Sequence, residues 1–128
     1  KKLMTEEIQL NIFSEEIEDC SCDPMTGFFR NGCCETSDQD AGSHTVCALM
    51  NKEFLEFSLS RGNDLINPVP AFNFPGLNPG DRWCLCANRW LEAYEAGAAP
   101  HIIARATNIK ALEIIEIEQI KEFAIDIL

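Results

Sequence analysis

The sequence predicts an α+β fold: one compact domain with a small mixed sheet, about three helices and long ordered loops. Three observations carry this. The chain has 128 residues, 46% of them apolar and 24% charged, which is enough for one real core and ordinary for a globular domain. Short apolar runs and amphipathic segments intermix without the strict strand–helix rhythm of a doubly wound sheet. Two tracts rich in Gly, Pro, Asp, Arg and Cys interrupt them, as loops that present side chains do.

The elements follow in order. Residues 1–7 read as a loosely ordered N-terminal extension of the 1–128 domain. Ile8, Leu10 and Ile12 alternate with Gln9 and Asn11, a short-strand pattern. Residues 19–43 lack periodicity and read as an ordered loop. The unbroken run Thr45–Met50 predicts a buried strand. Asn51 is placed to cap a helix carrying Phe54, Leu55 and Leu59 on one face, with Gly62 as its stop. Residues 63–80 contain Pro68, Pro70, Pro75 and Pro79, and a tract so long without secondary structure is either functional or a rigid crossing. Arg82–Cys86 predicts a strand buried on both faces. Asn88 then caps a helix with Ala87, Trp90, Leu91 and Tyr94 as its apolar stripe and Gly97 as its end. Further strands are expected over 101–106 and 113–117. A last helix from about Glu118 places Ile120, Phe123, Ala124 and Ile127 together.

The net charge of −11 is concentrated at the ends. Residues 1–19 hold six acids against two lysines, and residues 113–128 hold five acids against one, while all five arginines lie between. No basic stripe is present, so nucleic acid and anionic membrane are excluded as expected partners. No run approaches the ~18 apolar residues of a membrane span, and no basic-then-apolar leader is visible.

The seven cysteines cannot all pair within one chain. Cys20/Cys22, Cys33/Cys34 and Cys84/Cys86 are too close for easy bridging within each group, and Cys47 and Cys84 lie in apolar runs where a thiol acts as a small hydrophobe. Free thiols and a cytoplasmic location are the expectation.

Five segments together are recognisable: DPMTGFFRNGCC (23–34), GSHTVCALM (42–50), EFLEFSLSRGNDL (53–65), the stretch from Pro68 to Pro100, and ATNIKALEIIEIEQIKEFAID (106–126). From about residue 10 onward the chain resembles the family catalogued as domain of unknown function twenty-two thirty-seven, found in bacteria and some photosynthetic eukaryotes. The resemblance implies a small, soluble, single-domain protein and no particular reaction. Cys20 and Asp23-Pro24 follow the family pattern, whereas Cys22 and His101 depart from it.

The residues themselves favour a binding cleft formed by loops 23–44 and 61–86 for a small anionic ligand or a protein partner. Its expected members are Asp23, Arg30, His44, Arg61, Asp64, Asp81, Arg82 and Trp83. Arginine offers a planar fork for carboxylate or phosphate, and the aromatics Phe28, Phe29, Phe72, Phe74, Trp83 and Trp90 offer an apolar wall, with Trp90 the one that reads most strongly as core. Arg82 is expected to tie the Pro-rich loop to Asp81, Asp64 or Asp23. The alternatives are an enzyme using a thiol or carboxylate from these loops, or a Cys/His metal-binding domain. A reactive thiol needs a nearby cation or helix N-terminus, which points to Cys33, Cys34 or Cys86. A dyad of His44 and Cys47 is disfavoured, because three residues apart on a strand they face opposite sides. Cys84 and Cys86 with Cys33 or Cys34 and His44 have poor zinc spacing, so no residue is assigned as a metal ligand. No cofactor is indicated, no catalytic residue is assigned, and oligomeric state is not encoded in any pattern found.

Overall fold

The two unbroken apolar runs form the two long strands. The computed structural model describes residues 8–127. Strand β1 (His44–Leu49) lies at the centre, with β2 (Arg82–Cys86) on one side and the short β3 (His101–Ile102) on the other, all antiparallel. Side chains alternate across such a sheet. Val46, Ala48, Trp83 and Leu85 enter the main core, while Cys47 and Cys84 enter a second cluster on the opposite face. An unbroken apolar run therefore means that both faces are covered. The second face is covered by loop residues Ile17, Cys20, Cys34, Ile103 and Ala106.

Helix α1 (Lys52–Ser60) begins where Asn51 Oδ1 accepts the Phe54 N–H at 2.7 Å. It buries Phe54 and Leu55, but its third buried residue is Ser58, whose hydroxyl donates to the Asn63 carbonyl at 2.7 Å; the expected Leu59 is exposed. Helix α2 (Ala87–Glu95) follows β2 directly. Cys86, not Asn88, occupies its cap position, because the Ala87 N–H already donates to the Ser43 carbonyl at 3.0 Å. Trp90 is fully buried, donates Nε1–H to the Pro100 carbonyl at 3.0 Å, and packs on Tyr94 and Phe123.

Two expected strands are replaced by turns, and a third is cut short. Around residues 8–12, buried Asn11 closes a tight turn: Oδ1 accepts the Phe13 and Glu15 amides, and Nδ2 donates to the Arg105 carbonyl at 3.0 Å. Over 101–106, only His101 and Ile102 pair. The Asp126 carboxylate then takes the consecutive amides of Ala104 and Arg105 at 2.7 and 2.9 Å and bends the chain into a 3₁₀ turn, Ala104–Ala106. Over 113–117, a 3₁₀ turn (Ile109–Glu113) capped by Asn108 runs up to helix α3 (Ile117–Phe123). Gln119 Oε1 accepts the Glu116 N–H at 3.0 Å at the start of α3, an acid-x-x-Gln signal that outranks apolar alternation. The α+β class holds. The expected N-terminal extension, residues 1–7, lies outside the described residues.

Candidate functional site

Loop 20–34 is held at both ends. Cys20 bonds Cys47 of β1, and Cys34 bonds Cys84 of β2. This corrects the free-thiol expectation: four of the seven cysteines are in bridges, and Cys22, Cys33 and Cys86 lie outside them. Spacing within each cysteine group was the wrong test. Cys47 and Cys84 sit opposite each other across β1 and β2, and the loop brings Cys20 and Cys34 to them. The cytoplasmic reading rested on free thiols, and the two bridges remove that support. They also remove Cys47 as a partner of His44, and Cys84 as a free partner of Cys86. Cys33 Sγ lies 2.9 Å from Asp19 Oδ1.

Between its anchors the loop turns back at Gly27 (φ 102°), where a Cβ would collide with the Cys33 carbonyl. Buried Thr26 accepts the Cys84 N–H at 2.8 Å and fastens the loop to the edge of β2. Arg30, itself left-handed at φ 53°, donates Nη1–H to the Gly27 carbonyl at 3.2 Å. Its guanidinium lies 5.1 Å from the centre of the Trp83 ring, a cation–π distance. Trp83 in turn packs edge-on against Phe74 at 5.2 Å.

His44 is oriented from below. Its Nδ1 is 2.6 Å from Asp40 Oδ1, and Asp40 Oδ2 accepts the His44 amide and the Thr36 hydroxyl, both at 2.9 Å. Gly42 leaves room for the ring, since a Cβ there would sit 2.8 Å from His44 Cε1. Burial raises the Asp40 pKa, but the hydrogen bonds from His44 and Thr36 outweigh it and hold the carboxyl below its ordinary 3.8. With Nδ1 engaged, Nε2 is the ring nitrogen left to meet a ligand: an acceptor in the neutral tautomer, a donor once protonated.

Arg30, His44, Asp64 and Trp83 line one open cavity of about 220 Å³, walled by Leu65, Val69, Phe72 and Phe74 of the Pro-rich loop. Four of the eight expected site residues thus meet. Asp64 also shapes this wall: it accepts the Ile66 and Asn67 amides and the Asn67 side chain, which lower its pKa.

The other four do not line the cavity. Asp23 precedes a cis proline and accepts nothing from Arg82. Asp81 accepts the Asn78 N–H at 2.9 Å and closes a turn. Arg61 lies over Phe57 and pairs with Glu92, joining α1 to α2. Arg82 is exposed at the start of β2, and among the described residues its guanidinium forms no ion pair, so the anchor expectation fails. Arg82→Ala is accordingly expected to shift stability by less than ~0.5 kcal/mol, level with Lys110→Ala in denaturant unfolding. A much larger loss would restore it as an anchor.

Asp40, which holds the His44 ring, is the member of this candidate site that sequence reasoning missed. Its signal was present: an acid four residues before His44, with Gly42 between them. A larger groove of about 640 Å³ runs past Gln9, Thr36, Asp38, Lys110 and Glu113. Among the described residues its one cation, Lys110, pairs with Glu113 at 3.5 Å, and no aromatic lines it. Asp40 lines this groove, whereas Arg30, His44 and the aromatic side chains lie together in the smaller cavity.

Residues 10–124 match a family model described as "Uncharacterized protein conserved in bacteria (DUF2237)". The chain belongs to this family. The match spans both cysteine bridges and every residue of the cavity. No curated protein matches the chain. Among the described residues, no helix is long and apolar enough to cross a membrane.

The depressed Asp40 pKa has a consequence for acid stability. Such a group stabilises the fold above its unfolded value, about 3.9, and that contribution is lost as pH falls through the lower folded value. Asp40→Asn is expected to cost about 2 kcal/mol at neutral pH. The gap from the parent should close in the acid range. Urea unfolding at neutral pH and at successively lower pH checks this; a gap that is constant with pH would contradict it.

Proposed function

We propose that the cavity between loop 20–34 and the Pro-rich loop binds a small ligand that carries a carboxylate or phosphate beside an apolar group. The observation that carries this reading is the Arg30 guanidinium held over Trp83 at the mouth of an aromatic-walled pocket. A stacked guanidinium is fixed in direction yet keeps N–H donors at its edge for an anion. Phe72, Phe74 and Trp83 supply the apolar wall. The buried Asp40 holds the His44 ring, so that its second nitrogen serves as an oriented polar contact. The volume of about 220 Å³ is below the ~300 Å³ at which drug-sized pockets begin, which favours a metabolite-sized ligand over a large cofactor.

The test uses benzoate, phenylphosphonate and neutral benzamide as probes, followed by NMR at Trp83 and His44. The two anions are expected to shift both residues and benzamide to do so weakly. Arg30→Ala should weaken benzoate binding about 30-fold, the loss of one charged hydrogen bond of about 2 kcal/mol. Equal binding of benzamide and benzoate, or shifts confined to residues away from this cavity, would refute the proposal.

A further inference from the structure

We propose that Cys20, Cys34, Cys47 and Cys84 form a redox-gated zinc site: two disulfides when oxidised, one tetrathiolate centre when reduced. The inference is independent of the ligand reading above. The Sγ atoms of Cys20, Cys34 and Cys47 all lie within 4.8 Å of one another, and Cys84 is bonded to Cys34. A sulfur of the Cys34–Cys84 bridge therefore lies within 4.8 Å of both sulfurs of the Cys20–Cys47 bridge. Stapling a loop to a sheet makes no such demand, because two bridges serve it equally well far apart. A tetrahedral metal centre does make that demand: with Zn–S of about 2.3 Å, its sulfurs stand roughly 3.8 Å apart.

The origin of the four ligands supports the same reading. Cys47 and Cys84 are direct cross-strand partners on one face of the sheet, so their side chains point the same way. They are not bonded to each other; each meets a cysteine from one end of loop 20–34. The strand ligands are held by their backbones. The Cys47 N–H donates to Thr107 Oγ1 at 3.1 Å and the Cys84 N–H to Thr26 Oγ1 at 2.8 Å. Two rigid strand ligands and two loop ligands are a donor set that closes around a metal without repacking the sheet. All four side chains are buried, and Ile17, Ile103 and Ala106 complete the shell. The remaining three cysteines stand outside this cluster.

The chemistry balances with a dithiol as reductant. Two dithiols each give two electrons and two protons to one bridge, the two S–S bonds break, and four thiols result. Zinc binding then releases four protons and leaves a tetrathiolate carrying a net charge of −2. In the reverse direction an oxidant of the disulfide class removes two electrons per bridge, the two S–S bonds re-form and the zinc departs. Because the cluster grips loop 20–34 at Cys20 and Cys34, either state keeps that loop on the sheet.

The test is metal analysis of protein prepared anaerobically with a dithiol and zinc. A single zinc per chain is expected, exchangeable for cobalt with the intense visible bands of a tetrahedral thiolate centre. Oxidation by a disulfide reagent should expel it. Cys20→Ser and Cys84→Ser should each lose the zinc, while the triple change Cys22→Ser, Cys33→Ser, Cys86→Ser should keep it. Should the single variants fail to fold, alkylation mapping of the parent decides. Zinc should protect Cys20, Cys34, Cys47 and Cys84 from iodoacetamide under reduction, and a chelator should expose them. Reduced protein that takes up no zinc, alkylation indifferent to zinc, or protection of Cys22, Cys33 and Cys86 instead would overturn the proposal.

Discussion

The double substitution Cys34→Ala, Cys84→Ala in the oxidised protein is expected to lower stability by about 4 kcal/mol, the loop-closure value for a bridge between residues 50 apart. The effect is large because typical domains have only about 5–15 kcal/mol in total. Both residues are essentially inaccessible to solvent, so the two small cavities add to the loss. The bridge also holds the end of loop 20–34, and with it the segment that carries Arg30. The check is urea unfolding without reductant, beside Cys22→Ala as an exposed control that should stay within ~0.5 kcal/mol of the parent. Addition of a reductant should lower the midpoint of the parent more than that of the double variant. A double variant with the parent's midpoint would mean that this bridge does not close in the oxidised protein.

Trp90→Ala is expected to cost about 3–5 kcal/mol, the range for emptying a buried large aromatic site. Trp90 has no solvent exposure, and its ring is the hub of an aromatic group, stacked on Tyr94 at 5.4 Å and edge-on to Phe123 at 5.5 Å. It thereby joins α2 to α3. The variant also strips the Pro100 carbonyl of its Nε1–H donor at 3.0 Å. Trp90→Phe separates the two contributions: it keeps most of the ring volume and loses the hydrogen bond, for an expected ~1–3 kcal/mol. Thermal or denaturant unfolding of both variants reads the difference. Trp90→Ala within error of Lys110→Ala would show that the aromatic hub is not part of the cooperative core. Large losses for Trp90→Ala and almost none for Trp90→Phe would assign the effect to volume alone.

Elements defined by contiguous residues were legible in the sequence. The runs through Val46 and Trp83 could be covered only on both faces, and both became strands. Asn51 capped α1 because its side chain reaches an amide three residues away. The expected strands at 8–12 and 113–117, and the part of 101–106 beyond Ile102, gave way where a polar side chain offered the backbone a better set of partners. Asn11 and Gln119 did so locally, Asp126 from more than twenty residues away. Alternation of apolar residues over four or five positions is too weak to compete with a carboxylate that takes two consecutive amides.

The same division runs through the cavity and the cysteines. By itself the sequence determined the class of fold, the two long strands, the three helices and the two loops that carry Arg30, His44, Asp64 and Trp83. Local propensity and burial act over a few residues, and each of these features is local. Only the tertiary structure decided that those four side chains share a cavity while Asp23, Arg61, Asp81 and Arg82 do not. Arg30 and Trp83 stack because disulfides and the Thr26 hydroxyl fix loop 20–34 to the sheet. Only the tertiary structure set the Cys20–Cys47 and Cys34–Cys84 bridges side by side. Sulfur pairing depends on distance in space, and that distance was set by the register of β1 against β2, which no spacing along the chain records.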